Sequence, residues 1–274
     1  MSTGPLRPRL RLVESRQNPR VKELRAALAR TGRTPSGLVA IEGEHLIAEA
    51  IRSQLRFDTV FLRHGYQAPF ALPEDVEHLL LPADVFSSAV ATEQPQGIAA
   101  IVHPPEFSLD ALFAPPAPLI LVLAGLQDPG NVGTLLRSAE AFGATGVLLL
   151  PGAANPWNPK ALRASAGSAF RVPAIHATEP EALNLFDRHR IPAIAAVARS
   201  GISVTKAPLA GPCALLIGNE GVGLSKILVS AAKHRVTIPT PGDVESLNAA
   251  IAGSLLLYEA SRQRTQKAAR QRQT

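Results

Sequence analysis

The chain has 274 residues, 46% of them hydrophobic, and a formal net charge of +6. Such a length favours two domains with separate cores, and no apolar run reaches the roughly 18 residues a membrane span needs. The N-terminal stretch lacks the apolar segment of a secretory signal, and with a single cysteine, Cys213, no internal disulfide can form, so a reduced, cytoplasmic protein is expected.

The charge is unevenly placed. Residues 1–33 carry +7 and residues 259–274 carry +4, which leaves −5 for everything between them. Segregated basic ends are an electrostatic footprint for a polyanion such as RNA, although they also serve solubility alone.

In chain order, Asn18–Pro19 reads as a helix entry, asparagine capping and proline in the first turn. Val21, Leu24 and Leu28 give that helix an apolar face through about Arg30, which turns Arg20, Lys22, Arg25 and Arg30 mostly outward. A short strand is expected at 38–41 and a helix at 44–54. Strands follow at 57–62, 78–81 and 97–102, with a helix around 83–91. Together these predict a small α/β sandwich over residues 1–103. Pro104, Pro105, Pro115, Pro116 and Pro118 then crowd one stretch. Proline at that density continues neither a helix nor an interior strand, so 104–118 is expected as an extended linker.

From 119 to 274 the pattern is α/β again. Strands near 119–124, 147–150, 194–197, 214–217 and 236–238 alternate with helical segments, which predicts a mostly parallel sheet with helices on both faces. A final helix from Leu247 to about Arg270 begins apolar and ends basic.

Three polar islands follow strands in this second half, where α/β sheets place their chemistry. The first is Gln127-Asp128-Pro129-Gly130-Asn131-Val132-Gly133-Thr134-Leu135-Leu136-Arg137, in which Asn131 is expected to cap a helix running to Phe142. The second, Gly218-Asn219-Glu220-Gly221-Val222-Gly223, lets backbone approach a flat ligand, or is simply a turn. The third, Glu245-Ser246-Leu247-Asn248, opens the last helix, where Ser246 is explained as an N-cap without any function. No P-loop is present, since Gly130 is followed by Asn131-Val132 and not Lys-Ser/Thr, and Gly-x-Gly-x-x-Gly is missing. The seven histidines lack ligand spacing, so no metal site is expected.

Taken in order, Asn-x-Gly-x-x-x-Arg, Gly-Asn-Glu-Gly-x-Gly and Ile-Pro-x-x-Gly-x-x-x-Ser-Leu-Asn resemble the signature of the SpoU (TrmH-type) RNA ribose 2′-O-methyltransferases of the SPOUT superfamily. The likeness covers residues 119–262 closely. With lower specificity, Asn18-Pro19-Arg20-Val21-Lys22, Ile41-Glu42-Gly43 and Pro95-Gln96-Gly97 are similar to positions in the substrate-binding domain that many members carry. Thr240 departs from the pattern, standing where many members have an apolar residue after Ile-Pro.

The resemblance implies a deep trefoil knot in residues 119–274, a two-fold homodimer and S-adenosylmethionine as cofactor. Carried onto this chain, the cofactor would meet backbone at Ala196, Val197, Ala198 and Arg199, at Leu216, Gly218, Asn219 and Gly221, and at Ile238 and Leu247. Arg137 and Glu220 would be the central functional side chains, with Asn131, Ser246 and Asn248 organising cofactor or substrate. Arg137 is read either as general base or as a phosphate grip that stabilises the developing alkoxide. RNA capture is assigned to Arg16, Arg20, Lys22 and Arg25. Large-subunit, 23S-type ribosomal RNA is favoured as substrate over transfer RNA; a non-catalytic RNA-binding or ribosome-binding protein of the same fold is the competing reading.

Overall fold

The computed structural model describes residues 9–29, 31–90 and 92–272. The chain divides into two compact units, Met1–Glu106 with Trp157–Arg171, and Phe107–Pro156 with Val172–Thr274. Residues 1–8, the expected helix end at Arg30 and Ala91 lie outside the described residues.

The first unit opens with β1 (Arg9–Leu12), α1 (Pro19–Ala29), β2 (Val39–Glu42), α2 (Glu44–Arg52), β3 (Phe57–Arg63), β4 (Glu77–Leu81), α3 (Ala83–Ala89) and β5 (Ile98–Val102). They form a five-stranded mixed sheet ordered β1-β4-β3-β5-β2, with β5 antiparallel to both of its neighbours. Val21, Leu24 and Leu28 of α1 are buried as the periodicity predicts, and they pack with Val85 and Phe86 of α3 against Phe61, Leu79 and Ile101. Strand β1 was not foreseen: Leu10 and Leu12 are 61% and 54% exposed, so this edge strand carries no buried apolar signal.

The second unit takes up at β6 (Leu119–Leu123), α4 (Pro129–Ala141) and β7 (Gly146–Leu149). The chain then revisits the first unit through α5 (Pro159–Ser165). It returns with β8 (Ala174–His176), α6 (Glu179–His189), β9 (Ala193–Ala196), β10 (Ile202–Ser203), β11 (Cys213–Ile217), α7 (Lys226–Ala231), β12 (His234–Thr237) and α8 (Ala249–Gln271). The seven strands are ordered β10-β12-β9-β11-β6-β7-β8, and every pairing is parallel.

All residues of β6 and β11 are buried, as strands covered on both faces require. Alternate side chains go to opposite faces. Ile120, Val122, Ala214 and Leu216 pack with Ala182, Leu185 and Phe186 of α6 and Leu228 of α7. On the other face α8 presses on α4: a Cβ on Gly253 would lie 2.5 Å from Leu135 and 3.4 Å from Ile217. Helices therefore cover both faces, as expected.

Three local expectations need correction. Helix α4 is capped by Asp128, whose carboxylate accepts from the Gly130 N–H at 3.1 Å, so Asn131 lies inside the helix. Helix α8 begins at Ala249 under the cap of Asn248, and Leu247 and Ser246 precede it. The proline-rich stretch is not extended throughout: Leu109–Leu112 forms a 3-10 turn, and Leu112 and Phe113 are buried in the second core.

Candidate functional site

The carboxyl ends of β9, β11 and β12 surround a cavity of about 770 Å³. Its walls come from three segments: Ala196, the last residue of β9, with Val197, Ala198, Arg199 and Ser200 after it; the 218–223 turn after β11; and Ile238, Pro239, Thr240, Glu245, Ser246 and Leu247 after β12. Leu256 of α8 closes the apolar side.

The turn after β11 is built largely by one side chain. Asn219 Oδ1 accepts from the N–H groups of Gly221 (2.8 Å) and Val222 (3.2 Å), while its Nδ2 donates to the Gly125 carbonyl at 2.8 Å. The second bond ties this turn to the loop after β6. Backbone of Asn219 and Gly223 pair reciprocally, which brings Gly218 so close to Gly223 that a Cβ would sit 2.4 Å from the Gly223 carbonyl carbon. Glycine at 218 is thus required by protein packing before any ligand is considered. Thr237 Oγ1 donates to the Ala198 carbonyl at 2.9 Å and fixes the first and third walls to each other.

Beside the cavity runs a chain of polar side chains drawn from all three islands. Asn131 Nδ2 donates to Glu220 Oε1 at 2.6 Å, and Asn248 Nδ2 donates to Asn131 Oδ1 at 3.2 Å. Asn248 Oδ1 meanwhile accepts from the Ala250 and Ile251 N–H groups, so cap and network share one amide. Because Asp128 caps α4, the Asn131 amide is available for this bridge.

The expected residues distribute as follows. Ala196, Val197, Ala198, Arg199, Gly218, Asn219, Gly221, Ile238 and Leu247 line the cavity, as do Glu220 and Ser246. Leu216 is fully buried in β11, one residue short of the lining residue Ile217. Asn131 and Asn248 join Glu220 through the network. Arg137 is exposed on α4 and meets no side-chain partner among the described residues; Glu220 is bonded to Asn131 and not to Arg137. Residues that sequence reasoning missed are Asp128 and Gly125, which position the first island, and Ser138, whose hydroxyl lies 2.7 Å from that of Ser254 where α4 meets α8.

In the first unit the motifs ending at Gly43 and Gly97 meet. Gln96 Oε1 accepts from the Glu44 N–H at 2.8 Å, and Gly97, at φ 98°, lies under the Tyr66 ring. Tyr66 donates to Glu44 at 3.0 Å, and burial together with that carboxylate pushes its phenol up to about 12.

The basic residues of this unit differ in availability. Arg16 pairs with Asp84 at 2.8 Å, and Arg25 donates to the Ser88 carbonyl and hydroxyl. Arg20 pairs with Glu23 and Asp58; burial opposes its charge, but those two carboxylates outweigh burial and hold the guanidinium above its ordinary value. Lys22 is exposed.

Among the described residues no group of three or more His, Cys, Asp or Glu side chains could hold a metal, and no helix is long and apolar enough to cross a membrane.

Residues 118–258 match the model of the SpoU rRNA Methylase family, and residues 18–100 match that of the MRM3-like substrate binding domain. The 23S rRNA (guanosine(2553)-2′-O)-methyltransferase RlmP of Bacillus subtilis is 32% identical, over 91% of this chain and 98% of that protein. The 23S rRNA (uridine(2479)-2′-O)-methyltransferase of Streptomyces viridochromogenes is 31% identical, over 96% of each chain. Among solved structures, the SpoU methyltransferase AviRb of Streptomyces viridochromogenes in complex with AdoMet superposes with a TM-score of 0.81 at 29% identity, covering 91% of this chain and 99% of that one. The signature, the parallel sheet and the full-length likeness agree: this chain belongs to the SpoU rRNA methylase family.

Proposed function

We propose that the protein is an S-adenosylmethionine-dependent methyltransferase acting on a ribose 2′-hydroxyl of 23S-type ribosomal RNA. The observation that carries the reading is the meeting of the three islands, with Glu220, Asn131 and Asn248 in one hydrogen-bonded chain beside the cavity. A protein that only bound RNA would have no need of this arrangement. The two 23S rRNA methyltransferases similar over nearly the whole chain favour ribosomal RNA over transfer RNA.

The cavity fits the cofactor in size and chemistry. About 770 Å³ lies within the range of roughly 300–1,000 Å³ for small-molecule sites. Val197, Ile238 and Leu247 offer apolar surface to an adenine, backbone groups of the three loops offer donors and acceptors, and Glu220 and Glu245 supply negative potential to a cationic ligand. When bound, the cofactor supplies an activated methyl group, so the chain's own task is orientation and charge management.

Arg137 is assigned to the substrate. A guanidinium stays protonated in proteins, so it acts by gripping the neighbouring phosphate and stabilising negative charge as it develops on the 2′-oxygen. Glu220 holds Asn131, and through it Asn248, in fixed orientation. Lys22, with Arg16, Arg20 and Arg25 behind their carboxylate or carbonyl partners, contributes to RNA capture by the first unit.

The knot belongs to this reading. Strand β12 inserts between β9 and β10, which are consecutive in the chain. That order supports a path in which the segment after β11 threads the β9–β10 connection, an exception to the rule that chains avoid threading. A homodimer also belongs to it. Ile251, Leu255 and Tyr258 are 53%, 40% and 52% exposed at helical spacing on α8, an apolar stripe suited to an identical partner.

The test is methyl transfer from labelled S-adenosylmethionine to 23S ribosomal RNA and to transfer RNA, each lacking the modification. The expected product is one alkali-resistant linkage in 23S RNA. Arg137→Ala is expected to lower the rate by about 100-fold or more at unchanged cofactor affinity. Near-normal activity of Arg137→Lys would remove any role for the planar fork.

A further inference from the structure

The cations of the basic C-terminus are not equivalent. Arg262 is held by Glu259 at 2.6 Å. Arg264 donates to the carbonyls of Ala117 (2.6 Å), Pro118 (3.1 Å), Leu209 (3.3 Å) and Gly211, so it fastens α8 to the loops that lead into β6 and β11. Lys267 and Arg270 have no such engagement among the described residues, and with Gln263, Gln266 and Ala210 they line a groove.

That groove does not end at α8. Ala210 is shared with a second depression lined by Arg190, Lys233 and His234, and Arg190 and Lys233 are shared with a third that also includes Asp187. Lys233 immediately precedes β12, Arg190 stands three residues before β9, and Gly211 and Pro212 precede β11. The band therefore follows the amino ends of the parallel strands, the edge opposite the cavity. The linings of the three depressions hold Lys267, Arg270, Arg190, Lys233 and His234 and a single carboxylate, Asp187, in the third. This occurs within a chain whose segment from 34 to 258 carries −5, while the cavity at the other edge is lined by Glu220 and Glu245.

We infer that the amino-end edge of the second unit's sheet, from Lys267 and Arg270 on α8 to Arg190 and Lys233, is a contact surface for the phosphodiester backbone of the RNA substrate. The inference rests on the RNA-methylating reading and adds a contact to it. Unpaired cations strung along a groove neutralise successive phosphates and release their counterions, which gives affinity without sequence preference. Helix α8, 23 residues and so about 34 Å long, carries this contact to the far end from its Asn248 cap. A substrate as extended as ribosomal RNA can reach both ends.

The experiment measures the affinity of the full chain for a 23S ribosomal RNA transcript over a range of salt concentrations, with S-adenosylmethionine affinity measured in parallel. For Lys267→Gln/Arg270→Gln, affinity is expected to fall by about 10-fold at 0.1 M salt and the slope of log affinity against log salt to flatten by about 2, with cofactor affinity unchanged. Lys233→Gln, on a separate element, should flatten the slope by about 1. The charge-retaining pair Lys267→Arg/Arg270→Lys should behave as wild type. Unchanged slopes in the glutamine variants, with wild-type protein binding RNA, would overturn the surface while leaving the methyltransferase reading intact. Equal loss in the charge-retaining pair would also overturn it, as would competition by poly-glutamate matching that by RNA. Wild-type protein that binds cofactor but no RNA at any salt would overturn both.

Discussion

At the scale of single residues, Gly218 shows how a ligand-binding signature can be a packing requirement. A methyl group there would meet Gly223 carbonyl carbon at 2.4 Å and Leu224 N at 2.5 Å, both backbone atoms that cannot yield cheaply. Gly218→Ala is therefore expected to open the 218–223 turn and weaken S-adenosylmethionine binding by about 10-fold or more, read by calorimetric titration. Gly221→Ala meets only Asn219 Oδ1, at 3.4 Å, and should retain most of the affinity. Equal losses in the two variants would show that close backbone approach at 218 is not what shapes the cavity.

The motif residues were legible in the sequence, but their local roles were not. Asp128 and Asn131 are both good caps, as are Ser246 and Asn248. Pro129 could have decided the first pair, because proline prefers the first helical position and so points to the residue before it as cap. Nothing of that kind separates Ser246 from Asn248. There the choice depends on the Asn131 amide, which is remote in sequence and accepts the remaining Asn248 donor.

Among the elements, α8 combines the most tasks. Its first turn carries the Asn248 cap, its middle packs Gly253 on α4, and its last third is fastened by Gln263 and Arg264. Glu259, buried in that helix, accepts from Arg262 and Gln263, and the hydrogen bond from Arg262 is the main cause that holds its carboxyl below the usual range. A depressed folded-state value means that its contribution is complete above the unfolded value of about 4.3 and is lost as pH falls through the folded one. Glu259→Gln should cost about 1 kcal/mol near neutrality. It should also show a shallower decline of Tm between roughly pH 5 and 3 than wild type. Parallel acid limbs in thermal denaturation would exclude Glu259 as a contributor.

Elements with a continuous apolar run or a helical apolar period, such as β6, β11 and α1, were readable because burial imposed the pattern. Strand β1 and helix α5 were not. The first presents its leucines to solvent, and the second is seven residues long, too short for a periodicity, and packs within the first unit on β2, far from it in sequence.

At the scale of the whole molecule, the apolar stripe of α8 bears on assembly. Ile251→Asp/Leu255→Asp should sediment as a monomer and lose methyl transfer, while wild type sediments as a dimer; a monomeric wild type would contradict the homodimer. Both basic termini were visible in the composition, yet only the structure separates engaged cations such as Arg264 from available ones such as Lys267. That distinction depends on backbone carbonyls, which sequence charge does not register.

The first unit takes in Trp157–Arg171 from beyond β7. Arg33 lies over the Trp157 ring at 5.5 Å, and Arg171 reaches Glu49 at 2.9 Å across 122 positions of chain. Contacts of such high sequence separation delay folding, because loop-closure entropy must be met before they form. On the ribosome, then, synthesis of the first 106 residues does not complete the first unit. Its final side chains emerge only after β6, α4 and β7 of the second unit have been made, so the two units mature together and not in the N-to-C order of their names.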